Sequence, residues 1–400
     1  MQGTSTPSQP ATERSHHAAV LAQPLVTVSS PADAVVDFIG SRTRRHYESG
    51  MPGQRESARV AEVVTPQYPA FDEEYFEWID VLETVQAATD SYVMIELGAG
   101  YGRWSVRAAL AAARRPSCTY HCVAVEAEPV HFRWMLDHFR DNGVNPDDHD
   151  VIWAAVGPHA GFVPFRIGNP DGWYGQTIAS RIRDPLPTAR MRRRLKARSV
   201  LGRPPIMPAT AKSRLWVPCV TLAELLTPYP KVDLIDVDVQ GSEVDVLAPA
   251  IEALNERVGR IHIGTHSAEI ETALRDLFST AGWKNLNDYP CQSHVPTPYG
   301  EITFGDGVQT WLNPATPLSR RLRASTQETS RPSAESSELV AALHARIADL
   351  KERNRQLKAE TIRLREKQSE SQAHGEPKVS SRSWKRLVPE WFTRLRRRFG

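Results

Sequence analysis

Tyr92-Val93-Met94-Ile95-Glu96-Leu97-Gly98-Ala99-Gly100-Tyr101-Gly102 is a short apolar run that closes on an acid and three alternating glycines. The run has the length and residue types of a buried strand, and the glycines let the backbone turn sharply and lie close to a ligand. Arg103 to Arg115 is then alanine-rich and stops at Pro116, which reads as a helix opening on the turn. The same alternation extends outward. His121–Glu126, Val151–Val156, Val232–Asp238 and Arg260–Thr265 read as strands. His131–Arg140, Glu243–Leu254 and Ala268–Ala281 read as helices, the first ending near Asn142-Gly143 and the last closed by Gly282. Upstream, Tyr75, Phe76, Ile79, Leu82 and Val85 recur at helical spacing, and downstream Glu301–Phe304 and Val308–Leu312 are expected to pair as a terminal hairpin. Strand and helix in turn predict an α/β fold, a doubly wound, mostly parallel, Rossmann-like sheet covered on both faces.

The whole chain has 400 residues, 40% hydrophobic and 24% charged, which excludes fibrous and wholly disordered proteins. With 49 basic against 47 acidic residues, no global field draws it to nucleic acid. Cys118, Cys122, Cys219 and Cys291 lack disulfide-scaffold or zinc-site spacing and read as reduced core thiols. The apolar stretch Ala18–Leu25 is broken by Gln23 and Pro24 and suits neither a signal peptide nor a span, so a cytoplasmic setting is expected. Residues 1–60 are expected to be a mostly disordered arm, with a short helix over Ala32–Ile39.

A domain over 61–316 follows. Its insertion Arg181–Arg214 carries eleven Arg and Lys with Asp184 as the only acid, and reads as a solvated loop or a docking patch for an anionic substrate or carrier. After a linker at 317–337, residues 338–368 place Leu343, Leu350, Leu357 and Leu364 at d and Val340, Ile347, Asn354 and Thr361 at a, which favours a parallel dimeric coiled coil over a trimer or a lone helix. In the tail, 382–400, Trp391, Phe392, Leu395 and Phe399 share a helix face beside Arg394, Arg396, Arg397 and Arg398. Such a helix suits peripheral contact with an anionic membrane at the inner face of the cell, or a protein partner.

Chemistry concentrates at the strand ends. A dinucleotide fingerprint wants glycine at position 103, where Arg103 stands, and the acid Glu96 suits a cationic cofactor better than a pyrophosphate. S-adenosylmethionine (SAM) is such a cofactor, carrying an ammonium and a sulfonium and no phosphate. Glu96, Gly98, Ala99, Gly100 and Gly102 would cradle it, and Glu126, followed by Ala127, can accept both ribose hydroxyls. In Asp236-Val237-Asp238-Val239-Gln240-Gly241-Ser242-Glu243, alternation sends Asp236 and Asp238 to one side. These acids can hold the methionine end, orient a substrate hydroxyl or ligate a divalent metal such as Mg2+, while Glu243 also suits a helix N-terminus. His266, after the next strand, is the candidate base, or else a helix cap. Trp173, Tyr174 and Gln176 lie between glycines, where the aromatic pair can stack on a sugar face or pin a loop.

These residues resemble the FkbM-type SAM-dependent methyltransferases. The resemblance covers about Tyr75 to Pro314 and rests on the glycine turn, Val125-Glu126-Ala127-Glu128-Pro129, Asn142-Gly143, Ala154-Ala155-Val156 and Asp238-Val239-Gln240-Gly241-Ser242-Glu243. Gln240 replaces the family's usual Glu, and Asp236 stands where Lys is common. The resemblance implies O-methylation of a sugar or natural-product hydroxyl, with Glu96, Gly98, Gly100 and Glu126 toward SAM and Asp238, Glu243 and His266 toward the acceptor. The coil and tail add the expectation of a surface glycan or lipid-linked saccharide as acceptor. A soluble natural product, or a non-catalytic coiled-coil scaffold on a remnant fold, are the alternatives.

Overall fold

The computed structural model describes residues 15–25, 27–48, 62–168, 177–178, 187–200, 204 and 213–322. The expected coiled coil and basic tail, most of the linker, half of the basic insertion, and Trp173, Tyr174 and Gln176 lie outside these residues.

A seven-stranded sheet forms the centre. Its strands are β1 (Ser91–Leu97), β2 (Thr119–Glu126), β3 (Asp150–Trp153), β7 (Val232–Val237), β8 (Val258–Thr265), β9 (Lys284–Tyr289) and β12 (Gly307–Leu312), after β4 (Ala155–Val156), β5 (Gly161–Ile167), β6 (Ser213–Val220), β10 (Ser293–Thr297) and β11 (Gly300–Phe304) are counted in chain order. The order across the sheet is β9-β12-β8-β7-β1-β2-β3. β3, β2, β1, β7 and β8 run parallel, and β12 is antiparallel to both neighbours. The order reverses between β1 and β7, which opens a crevice at their carboxyl ends.

Helix α1 (Tyr75–Ala87) and α2 (Arg103–Ala113) cover one face, and α3 (Pro129–Asp141) packs beside α2. Tyr75, Phe76, Trp78, Ile79 and Leu82 of α1 join Met94 and Leu234 in that core. On the other face lie α5 (Leu222–Leu226), α6 (Glu243–Leu247), α7 (Ile251–Arg257) and α8 (Ala268–Thr280), following α4 (Ala189–Val200) in the insertion. Their Leu247, Leu254, Leu274 and Phe278 pack on Ile235, Val237, Ile261 and Ile263. Leu234 and Asp236 of β7 thus face α1, and Ile235 and Val237 face the helices on the other side.

Four expectations change. The terminal hairpin does not form as read: β12 enters the main sheet, while β11 pairs with β10 in a separate hairpin. Burial explains it, because every residue of β12 is buried as a two-sided central strand requires, whereas β10 alternates half-buried and exposed. Ala34–Val36 is a strand paired with Arg42–Arg44 rather than a helix, since adjacent valines favour the pleat and Gly40 at φ +83° turns the chain between the two. The arm, expected to be mostly disordered, folds over residues 15–25 and 27–48: Val20, Phe38 and Tyr47 are buried, and Asp37 and Arg44 pair with Arg107 and Asp141. The domain also runs past 316, where Leu318 and Leu322 pack on Leu312. Among the described residues no helix is long and apolar enough to cross a membrane.

Candidate functional site

The turn after β1 is shaped by contacts only glycine allows. Gly98 sits at φ +78°, and a Cβ there would lie 1.8 Å from the Asp238 carbonyl oxygen. At Gly102, φ +73°, a Cβ would lie 2.9 Å from Met135 and Phe139 of α3. The turn is stitched to both neighbouring strands: the Gly98 and Ala99 amides donate to the Val125 carbonyl at 3.0 Å, and the Asp238 amide donates to the Leu97 carbonyl at 2.9 Å.

Glu96, predicted to face a cationic cofactor, turns its carboxylate onto the start of α2. It accepts from the Trp104 amide at 3.1 Å and the Ser105 amide at 2.9 Å. Gly102, the N-cap residue, has no side chain to do this, so Glu96 caps the helix from a distance. Burial pushes its carboxyl up to about 6 against those hydrogen bonds. Glu126 accepts from the Gly100 amide at 2.7 Å and the Glu128 amide at 2.6 Å, one bond per oxygen. Each oxygen keeps a second acceptor position. Burial, with the Glu128 charge adding to it, raises Glu126 to about 8. A cavity lined by Gly98, Gly100, Glu126, Ala127, Ala155 and Gln240 opens beside it.

Asp238, Glu243 and His266 come together. His266 Nδ1 lies 2.8 Å from Glu243 Oε1, and its Nε2 lies 3.4 Å from Asp238 Oδ1 and 3.8 Å from Asp306 Oδ1. Burial alone would lower the imidazole, but the Glu243 hydrogen bond and the Asp238, Glu243 and Asp306 charges outweigh it and raise His266 to about 9. Gln240 holds φ +52°, a backbone conformation rare outside glycine, and its Nε2 lies 2.8 Å from Asp238 Oδ1 and 2.9 Å from His266 Nε2. Its amide donates to a neutral Nε2; turned over, its oxygen would accept from a protonated one. Glu243 lies at the start of α6, fully buried, and its Oε1 also accepts from the Gly241 amide at 2.9 Å. Ser267, not His266, caps α8 by accepting from the Ile270 amide.

Asp236, grouped by sequence with Asp238, lines the same cavity as Glu96, Gly98 and Asp238, but register sets it between Glu96 of β1 and His262 of β8. Sequence reasoning missed Gln240 as a contact residue, although its departure from the motif marked it. It also missed Asp306, whose Gly305-Asp306-Gly307 context reads as a turn, and Arg103, which pairs with Glu48 and Glu74 at the cavity wall. Glu48 comes from the amino-terminal arm, and no local signal announces that contact.

A doubly wound sheet whose last strand runs antiparallel between the fifth and sixth, with a carboxylate and glycine turn at its switch point, defines a class I methyltransferase fold. The family described as the methyltransferase FkbM domain matches residues 96–279, and over that stretch the chain is similar to the FkbM methyltransferases. A protein of Jannaschia sp. (strain CCS1) named "Putative methyltransferase" is 26% identical over 245 residues, 60% of this chain and 79% of that one. Methyltransferase FkbM from Methylobacillus flagellatus KT aligns with 60% of this chain and 55% of its own at 13% identity and TM-score 0.32. Precorrin-6y C5,15-methyltransferase from Geobacter metallireducens GS-15 aligns with 58% and 86% at 11% identity and TM-score 0.30. The match to this family implies SAM as the methyl donor.

Proposed function

We propose that this domain transfers the methyl group of SAM to a hydroxyl, in a sugar of a surface glycan or lipid-linked saccharide. The observation that carries the reading is the meeting of two cavities at Gly98, Gly100, Asp238 and Gln240, one holding Glu126 and the other walled by acids beside His266. The residues fit such a donor. The glycine turn leaves backbone space a Cβ would fill, Glu126 has acceptor positions free for ribose hydroxyls, and among the described residues lining the two cavities no cluster of cations awaits a phosphate. SAM supplies an electrophilic methyl, so that the C–O bond forms as the C–S bond breaks and S-adenosylhomocysteine leaves. Neutral His266, its Nδ1–H held by Glu243, takes the acceptor's proton on Nε2. The same carboxylates then stabilise the imidazolium. Asp238 orients the acceptor hydroxyl or the imidazole, and alignment of the two substrates supplies much of the rate. The glycan acceptor is supported by the sequence of the coil and the arginine-rich tail.

Activity should therefore climb with pH. With His266 raised to about 9, about one molecule in a hundred is neutral at pH 7, and kcat/KM should rise until pH passes about 9. Glu243→Gln removes the main support for the proton, so the rise should move to lower pH while the plateau falls. A flat profile from pH 7 to 10, or an unmoved one in the variant, rejects His266 as the base. The stability from its ion pairs should run the other way, full below about 6.5 and lost as pH rises through about 9.

The function itself is tested by incubating the protein with methyl-labelled SAM and cell extract split into lipid-linked glycans and soluble metabolites. Label in the glycans supports the proposal, and label confined to soluble metabolites replaces the acceptor. No heat on titration with SAM would overturn the enzymatic reading in favour of a scaffold.

A further inference from the structure

One row of side chains crosses the sheet beneath α1: Glu96 on β1, Asp236 on β7, His262 on β8 and Thr310 on β12. In its middle, Glu77 of α1, Asp236 and His262 bring one ligand atom each to within 4.8 Å of one another, and all three line the acid-walled cavity. The His262 ring is pinned. Its Nδ1 lies 2.8 Å from Asp80 Oδ2, and Asp80 in turn accepts from Thr310 Oγ1 at 2.7 Å and Arg260 at 2.9 Å. With Nδ1–H donated to a carboxylate, Nε2 carries the lone pair and among the described residues meets only Glu77, at 4.0 Å. This is the arrangement in which a carboxylate orients a metal-ligating histidine.

Asp236 is the second, independent sign. Its side chain is 5% exposed and opens into the cavity, and no hydrogen bond or ion pair satisfies it among the described residues. A buried, unpaired carboxylate beside another is costly. Burial raises both Glu77 and Asp236 well above the carboxylate range, with the Asp236 charge adding to it at Glu77 and the Glu96 charge at Asp236. Seven carboxylates line this cavity against Arg103, whose guanidinium is already paired with Glu48 and Glu74.

We propose that Glu77, Asp236 and His262 form a site for a divalent first-row cation such as Mn2+, whose remaining positions face the cavity. Two oxygens and one imidazole suit that class of ion. Ligands about 2.1 Å from an ion sit about 3.0 to 3.4 Å apart, so the set closes with a small rotation of the side chains. The role assigned to the ion rests on the methyltransferase reading: it would hold acceptor oxygens beside the donor and make a hydroxyl easier to deprotonate.

Mn2+ binding is measured by electron paramagnetic resonance on the full chain at pH 8, without and with saturating S-adenosylhomocysteine, and SAM binding is measured separately without metal. One tightly bound Mn2+ per chain is expected, retained when S-adenosylhomocysteine binds. Glu77→Gln and Asp236→Asn should each weaken it by more than about tenfold, the lower end of what a second-sphere partner alone commands. Melting curves show whether each variant is folded, and the Mn2+-induced rise in melting temperature should vanish in both. Absence of bound Mn2+, binding unchanged in both variants, or expulsion of Mn2+ by S-adenosylhomocysteine would each overturn the site. Loss of SAM binding with Mn2+ retained would instead strike the methyltransferase reading.

Discussion

Alanine at position 98 should abolish donor binding and leave a much less stable domain. Gly98 combines a left-handed φ of +78° with a Cβ position 1.8 Å from the Asp238 carbonyl oxygen. That oxygen belongs to backbone, and the Asp238 amide next to it is tied to Leu97 of β1. No rotamer change relieves the clash; either the turn lifts or β1 and β7 part at the switch point. Strain and overpacking together should cost about 4 kcal/mol of stability. SAM affinity should fall by more than about a hundredfold, or about 2.7 kcal/mol, because the displaced backbone is shared by both cavities. Calorimetric titration and thermal melting check this, and binding within about threefold of the wild type would show that the turn does not hold the donor.

Asp80→Ala should be nearly as damaging, although position 80 touches neither cavity. Asp80 is 1% exposed and serves Arg260, His262 and Thr310 at once, and Arg260 is itself 2% exposed. Without it a buried guanidinium keeps only Glu83, and a buried imidazole loses the acceptor that sets its tautomer. Removing one partner of a buried ion pair costs about 3–5 kcal/mol, far more than a surface pair would. Asp80→Asn keeps one oxygen acceptor and should cost less. Denaturant unfolding gives the comparison, and an alanine variant within about 1 kcal/mol of the wild type would mean that water replaces the carboxylate.

Both predictions concern residues of unequal legibility. Gly98 and Glu126 stand out in the chain because glycine alternation and an acid at a strand end are local patterns. Asp238, Glu243 and His266 were each legible as acids or a base at strand or helix ends. Asp80 and Glu77 were not, since on an amphipathic helix an acid reads as solvent-facing. Only the docking of α1 over β7 and β8 buries Asp80 and leaves Glu77 half-buried in the cavity wall. The meaning of Glu96 also changed, because a carboxylate in front of a glycine turn suits a bound cation and a bare helix N-terminus equally well, and the absence of a capping side chain at Gly102 drew it to α2.

The order of strands and helices, the glycine turn and the acids at the strand ends follow from sequence alone, because periodicity, breakers and side-chain chemistry act over a few residues. Tertiary structure decided which strands are neighbours. β12 left its expected hairpin for the centre of the sheet, and Asp236 parted from Asp238 to join Glu77 and His262. Such choices depend on burying apolar area and pairing backbone groups across more than a hundred residues, and no local pattern encodes that sum.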